Sequence, residues 1–580
     1  MTMYLKGFIP IALALTVGCA SNHDSNTAFE IKNETPKETP SVVREASDIK
    51  DEFYDASQVP VAEKVSKEIA FNSKHKPHKR QSDTRLARLI SPKQPIISDT
   101  FQYFQNNERE NYASVEQNAV KSVLSEPVST FSIDVDTGSY TNIRRLLNQG
   151  HLPPEDAVRI EEMINYFDYA YEAPESIDQP FNVNTEIAQA PWSKDHVLLK
   201  VGLKGFEVLE ENRPEANLVF LLDVSGSMNS SQKLPLLKKS LVMLSKQLTS
   251  KDKVSIVVYA GASGIVLEPT PGNQVLKIEQ ALDKLSAGGS TNGQSGIQLA
   301  YQLAKRAYNS EGINRVILAT DGDFNVGTSD VQALKNLIAQ KRKDGISLTT
   351  LGFGSGNYND ELMEQLADVG NGNYAYIDGL NEARKVLVET LSSTLFTIAK
   401  DVKIQIEFNP HVVKEYRLLG YENRALKRED FNNDKVDAGD IGAGHTVTAL
   451  YELVLQSNNA SRFDPLRYQT KDTAGHSKQN HNSDELAFVK FRYKDVDSTK
   501  SKLMSRPIAN PKQIMTFDGA SNDFRFSATV AEFGEVLRQS KYLETVDYTS
   551  MIQHALNAKG TDTFGYRSEF VQLLRLASNL

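Results

Sequence analysis

Two kinds of apolar pattern divide this chain. In its middle stand short continuous apolar runs, 218–222 (LVFLL) and 316–319 (VILA), each ending close to an acid. A run of that length bounded by Gly and Ser reads as a strand buried on both faces, as in a parallel sheet. Residues 254–259, 346–353 and 374–377 read as further strands. Between them lie helical periods. Leu234, Leu237, Leu241, Leu244 and Leu248 form a 3-4-3-4 stripe that packs one helix face on the sheet. Ile297, Ala300, Ala304 and Ala307 repeat at helical spacing, and 331–343, 362–369 and a closing segment 383–398 complete the series. Alternating strand and helix predict a doubly wound parallel sheet of the α/β class.

On either side the period changes to two. Val197, Leu199, Val201 and Leu203 recur at every second position, as do Val402, Ile404, Ile406 and Phe408. Ala449, Tyr451, Leu453 and Leu455 repeat the pattern, and so do Ala487, Val489, Phe491 and Tyr493. Strict alternation is the mark of half-buried antiparallel strands. The α/β unit, residues 214–400, is therefore expected to be inserted between flanking α+β segments, 127–213 and 401–580, that form a β-sandwich with helices. A short strand at 131–135 and helices at 140–148 and from Pro153 through Phe167 belong to the first flank. Phe526, Val530, Phe533 and Leu537, then 570–576, mark helices in the second. Residues 20–126 are polar with few apolar periods and read as a disordered tether, its basic cluster at 74–80 a solvated stretch of linker.

Length and charge narrow the reading. At 580 residues the chain is too long for one core, and a net charge of −9 argues against nucleic acid as a partner. One cysteine, Cys19, excludes an intramolecular disulfide. It follows Lys6 and an apolar run, 7–18, that is too short to span a bilayer but suits a signal-peptide core. Leu15-Thr16-Val17-Gly18-Cys19 resembles a bacterial lipoprotein box, with Thr16 in place of the usual Leu. The resemblance implies a signal peptide over residues 1–19, lipidation of Cys19 and anchoring in the bacterial cell envelope. Ala20 after the cysteine resembles the signal for outer-membrane delivery. Multiple acyl chains hold a protein at a membrane far better than one.

The candidate chemistry lies where the buried runs stop. The first ends at Asp223, followed by Ser225 and Ser227. Oxygen ligands at alternate positions of a tight loop suit a hard cation, although Asp and Ser also favour helix N-caps. A Gly-rich loop at 288–292 carries Thr291, and the run 316–319 leads to Asp321. Together Asp223, Ser225, Ser227, Thr291 and Asp321 resemble the metal-ion-dependent adhesion site of von Willebrand factor type A (VWA) domains, in family order. That resemblance implies a divalent ion, Mg²⁺ in the first place with Mn²⁺ or Ca²⁺ able to substitute, and an incoming Asp or Glu carboxylate from a protein partner. Asp321 is expected to act through water.

The flanks carry a second resemblance. TFSIDVDTGSYTNIRRLLNQGHLPPEDAVRIEEMINYFDY and KEYRLLGYENRALKREDFNNDKVDAGDIGAGHTVTALYELV, with GYRSEFVQLLRLA near the end, are similar to the modules of YfbK-type bacterial VWA lipoproteins. The expected role is adhesion without catalysis. The rivals are a metal-dependent envelope enzyme and a structural scaffold with an unused site. The sequence has no HExxH or G-x-S-x-G motif to support the enzyme. Three other loops read as structural. Residues 134–139 lack the later ligands of an EF-hand, 352–356 lack the Lys of a P-loop, and 432–440 read as a solvated turn.

Overall fold

A computed structural model describes residues 110–580 except 115, 323–330, 459, 465–483 and 544. The expected signal peptide, Cys19 and most of the tether lie outside the described residues. The first flank contains β1 (Lys121–Ser122), β2 (Val128–Ser132), α1 (Gly138–Asn148), α2 (Ile160–Asn165), β3 (Phe181–Ala190) and β4 (Ser193–Gly205). The α/β unit follows. It runs through β5 (Ala216–Asp223), α3 (Leu234–Ser245), β6 (Lys253–Tyr259), β7 (Ser263–Pro271), α4 (Val275–Asp283) and α5 (Gly293–Arg306). It continues with β8 (Ile313–Thr320), α6 (Val331–Lys343), β9 (Ser347–Phe353), α7 (Asp360–Val369), β10 (Tyr374–Ile377), α8 (Leu380–Arg384) and α9 (Leu391–Leu395). The second flank holds β11 (Thr397–Phe408), β12 (Val413–Leu419), β13 (Ile441–Gly442), β14 (Thr446–Leu455), β15 (Glu485–Lys494) and β16 (Ser501–Ala509). Helices α10 (Asn522–Leu537), α11 (Tyr548–Ala558) and α12 (Tyr566–Ala577) close the chain.

The central sheet has the order β10-β9-β8-β5-β6-β7. Strand β5 pairs in parallel with both β6 and β8, so it lies inside the sheet, and all its residues are buried. Leu218, Phe220 and Leu222 point to one face and pack against Leu234, Leu237, Leu241 and Leu244 of α3. Val219 and Leu221 point to the other, against Ile297 and Ala300 of α5, Ile338 of α6 and Leu366 of α7. The period-2 alternation of a strand thus feeds two helical layers. The doubly wound parallel sheet carries one further strand that the sequence pattern does not reveal. Edge strand β7 is antiparallel to β6, because only residues 260–262 join them and a parallel return requires a long crossover.

The closing helix also differs from expectation. Instead of one helix over 383–398 the chain makes α8, a wide π turn (Lys385–Glu389) and α9, and Thr397 is already extended in β11. The Thr390 amide and hydroxyl both bond back to the Lys385 carbonyl, at 2.9 and 3.1 Å. The Thr390 and Ser393 hydroxyls each bond to a backbone carbonyl behind them, an alternative to the regular ladder. The chain beyond pairs with β13 rather than continuing the helix.

The flanks form the sandwich. One sheet runs β1-β12-β14-β4-β3, and the other β13-β11-β15-β16, with β2 also paired to β11. Leu199, Val201, Leu203, Ala449, Tyr451 and Leu453 meet Ile404, Ile406, Phe408, Val489 and Phe491 in one core. Leu198 and Leu450 point the opposite way, against helices α1, α2, α10, α11 and α12. The helix entry at Pro153 is split, however. A short turn at Glu155–Ala157 is followed by extended Val158 and Arg159 before α2 begins.

The folded part starts before the expected boundary at 126. Glu110 pairs with Arg145 at 2.7 Å, the Asn111 amide donates to the Tyr358 carbonyl, and β1 pairs with β12. Ion pairs of three largely buried arginines join the insert and its flanks. Arg144 of α1 meets Asp378 (2.6 Å), Glu382 (2.8 Å) and Glu569 (2.9 Å). Arg159 meets Asp360 at 2.6 Å. Arg424 meets Asp134 (3.2 Å), Asp136 (3.1 Å) and Asp368 (2.7 Å). The 134–139 loop is therefore a turn whose acids serve an arginine. The 432–440 loop is not simply solvated, since half-buried Asp440 accepts from the Asp401 amide and from Asn371.

Candidate metal centre

Strand β5 carries Asp223 to its C-terminal end, where open α/β sheets present their ligands. The carboxylate is fully buried and held on both oxygens. Its Oδ1 accepts from the Ser225 amide at 2.8 Å, and its Oδ2 from the Tyr259 hydroxyl at 3.1 Å and the Thr320 hydroxyl at 2.9 Å. Burial pushes the Asp223 carboxyl above the usual carboxylate range, and the charge of Asp321 adds to this. The hydrogen bonds from Ser225 and Thr320 pull it back.

The next residues turn sharply. Ser225 is buried and extended, and Ser227 lies exposed in a 3₁₀ turn, Gly226–Asn229. Their hydroxyl oxygens are 3.0 Å apart. The turn is pinned from two sides. The Val224 amide donates to the Tyr259 carbonyl (3.0 Å), and the Gly226 amide to the Gly289 carbonyl (3.1 Å). In return the Gly288 amide donates to the Val224 carbonyl at 2.8 Å, so the Gly-rich loop is docked on the Asp223 loop. Gly289 has φ +86°, and a Cβ there would lie 3.2 Å from the Gly261 amide nitrogen, so glycine is required. Thr291, half-buried, follows two residues later. Among the described residues no hydrogen bond joins its side chain to the other four.

Asp321 follows β8 and is fully buried. Its Oδ2 accepts from Lys233 Nζ at 2.8 Å. It is near enough to Asp223 for the two charges to repel. The five residues expected from the sequence are thus gathered at one rim, four through direct bonds or charge and Thr291 through the docking of its loop. Sequence reasoning missed Tyr259 and Thr320, which orient Asp223, and Lys233. Tyr259 and Thr320 are the last residues of β6 and β8, which is the one signal that could have found them. Nothing marks Lys233 among the other lysines.

The donor set favours a hard ion. Six-coordinate Mg²⁺ with ligands at about 2.0–2.1 Å sets neighbouring oxygens roughly 3 Å apart. The spacing of the Ser225 and Ser227 hydroxyls matches one such edge. No cluster of three or more His, Cys, Asp or Glu side chains suited to a metal exists among the described residues, so softer sites of the zinc type have no counterpart there. A cation here would rest on oxygens from Asp223, Ser225, Ser227 and Thr291, with Asp321 behind them.

Comparison with known proteins matches three stretches of the chain. Residues 217–389 match the family model for the von Willebrand factor type A domain, and 393–580 match that for "Uncharacterized protein YfbK, C-terminal". Residues 106–200 match a model described as von Willebrand factor. The chain is 47% identical to YfbK of Escherichia coli (strain K12) over 475 residues, 81% of each protein. It is 24% identical to sll0103 of Synechocystis over 365 residues, 62% of this chain and 80% of that protein. Among solved structures, a von Willebrand factor type A protein from Catenulispora acidiphila aligns with 70% of this chain and 91% of its own, at 17% identity and a TM-score of 0.40.

Proposed function

The chain belongs to the YfbK family of von Willebrand factor type A domain proteins, and from that premise we propose that it is a lipid-anchored protein of the bacterial cell envelope, held at the outer membrane through Cys19, that captures a protein partner through a divalent cation. The VWA domain is a protein-interaction module, often metal-dependent. Mg²⁺, or Mn²⁺ or Ca²⁺ in its place, would sit on Asp223, Ser225, Ser227 and Thr291, with Asp321 acting through water, and a partner Asp or Glu carboxylate would complete its shell. The observation that carries this reading is the pair of serine hydroxyls 3.0 Å apart beside a buried, triply hydrogen-bonded Asp223. When bound, the cation supplies an electron-poor centre for a carboxylate. The chain's own residues bind it and fix its direction of approach.

We read the site as adhesive and not catalytic. Hydrolysis would need a base or nucleophile beside the ion. Among the described residues the groups at the rim are its hydroxyls, its carboxylates and the Lys233 ammonium, which Asp321 engages. His196 is engaged with Glu452, and His445 lies half-buried in the turn between β13 and β14.

The test is calorimetric titration of Mg²⁺, paired with pull-down from envelope extracts in Mg²⁺ or in EDTA. Asp223→Ala and the exposed Ser227→Ala should lose metal binding and partner capture, with Ser227→Ala keeping its fold by circular dichroism. Capture that persists in EDTA and in both variants would refute the proposal.

A further inference from the structure

Lys233 stands just ahead of α3, and its ammonium lies 2.8 Å from Asp321 Oδ2 and 3.3 Å from Asn357 Oδ1. Its side chain is 9% exposed and that of Asp321 is fully buried. The stem crosses Gly354, where a Cβ would meet Lys233 Cε at 2.2 Å. Gly354 has φ +78°, a conformation glycine adopts freely. The lysine is therefore held by a carboxylate, an amide oxygen and a backbone surface, unlike a solvated lysine that moves with its surroundings. Nothing in the function proposed above requires a fixed positive charge here.

We infer that Lys233 sets the charge of this rim: its ammonium weakens the hold on a divalent cation and leaves the loaded site positive, so that the ligand it accepts is anionic. The inference rests on the metal-dependent reading above and deepens it. Two carboxylates, Asp223 and Asp321, and one ammonium leave the empty rim singly negative. A divalent ion then makes it singly positive. Without the ammonium the same ion would be neutralised by the two carboxylates, and an incoming carboxylate would gain little. Like charges held in a buried setting repel far more strongly than in water, so the lysine costs metal affinity. It also gives buried Asp321 a partner before any metal arrives, so the rim needs no metal to be formed. Weak capture of the ion and strong demand for an anion are two effects of one residue.

The experiment is calorimetric titration of Mg²⁺ into the purified wild-type chain, Lys233→Met and Lys233→Gln in metal-free buffer, with thermal melts in EDTA and in Mg²⁺. Glutamine can still donate to Asp321 and guards against a misfolded methionine variant. The expected result is Mg²⁺ binding at least about fivefold tighter in both variants. Both should melt lower than wild type in EDTA and recover more on adding Mg²⁺. If the wild type binds Mg²⁺ and neither variant binds it more tightly, the inference is overturned and the proposed function stands. If the wild type is silent and the variants bind, the inference holds and metal-dependent capture by the native chain falls. Silence in all three overturns both.

Discussion

Arg144 is where removal of a single side chain should cost most. Its guanidinium joins three elements that are distant in the chain: α1, which carries it, the start of the closing segment through Asp378 and Glu382, and α12 through Glu569. Arg144 is 4% exposed and Glu382 fully buried, whereas Glu569 is 36% exposed and its pair is worth little by itself. Arg144→Met keeps the stem and removes the charge. Glu382 is then left with the Tyr166 hydroxyl on Oε2 and an Oε1 that already lacks a hydrogen-bond partner. Breaking a buried pair in this way costs about 3–5 kcal/mol. The nearby Lys385, which also favours the charged form of Glu382, holds the expected loss to the lower end, about 3 kcal/mol. The pH dependence gives a second check. Burial raises the Glu382 carboxyl above the usual range and Arg144 pulls it down, so the variant raises it further. An acid whose folded-state value is raised binds more protons when folded, so stability falls as pH rises from its ordinary value through the raised one. The defect should therefore be smaller near pH 5 than near pH 8. Urea unfolding followed by the single tryptophan measures it, since Trp192 packs on the helical layer that includes α1. A loss below about 1 kcal/mol, or a defect that grows toward acid, would refute the reasoning.

Three further outcomes follow from the same structure. Gly289→Ala forces an L side chain into φ +86° against the Gly261 backbone, so it should cost about 1–3 kcal/mol and weaken Mg²⁺ binding by moving the loop that bears Thr291; unchanged calorimetry would count against that loop's part in the site. Asp440, raised by burial to about 7, takes stability away as pH rises from about 4 to 7, and Asp440→Asn should flatten the pH profile of urea unfolding across that window. Leu237→Ala empties a fully buried position of α3 against β5 and should cost 2–5 kcal/mol by the same assay, about the range for such truncations.

How much of this was legible depended on whether one face of an element stayed apolar. Strands β4, β11, β14 and β15 each keep apolar residues at every second position over four repeats and are legible, although Leu198 and Leu450 add apolar residues on the other face of β4 and β14. Strand β12 was not, because Glu415 and Arg417 sit buried where an alternating reading wants neutral residues, and Arg417 is paid for by Glu452 and Glu535. Strand β16 is mostly exposed, with Leu503 outward, so it has no apolar face to read. Edge strand β7 is half-exposed, and nothing local distinguishes its direction. The rim residues were legible because each follows or ends a buried run. The ion pairs that Arg144, Arg159 and Arg424 make with Asp378, Asp360 and Asp134 were not, since those partners lie far off in sequence and an arginine with no near partner acid for those pairs reads as surface.

Those arginines bear on the rim itself. Gly322, with φ +86°, lies so close to the Asn359 amide that a Cβ would come within 2.4 Å of it. The turn after Asp321 thus rests on the segment Tyr358–Asn359, whose backbone bonds to Asn111 on one side. On the other side the chain enters α7 at Asp360, which pairs with Arg159 and accepts a hydrogen bond from Tyr374. Lys233 reaches the same segment through Asn357. A change in how Asp321 is held must be taken up by a backbone that the first flank already grips. Contact alone does not make coupling; that requires two arrangements of the shared element which both ends bias. The element to examine is the Asp321–Gly322 turn, because it is bonded to the charge at the rim and packed on the residues that Arg159 and Asn111 hold. The flanks are then part of how the α/β unit presents its rim, and Arg159→Met should alter Mg²⁺ affinity although Arg159 bonds to none of the five rim residues. Unchanged affinity in a folded Arg159→Met variant would confine the flanks to a structural role.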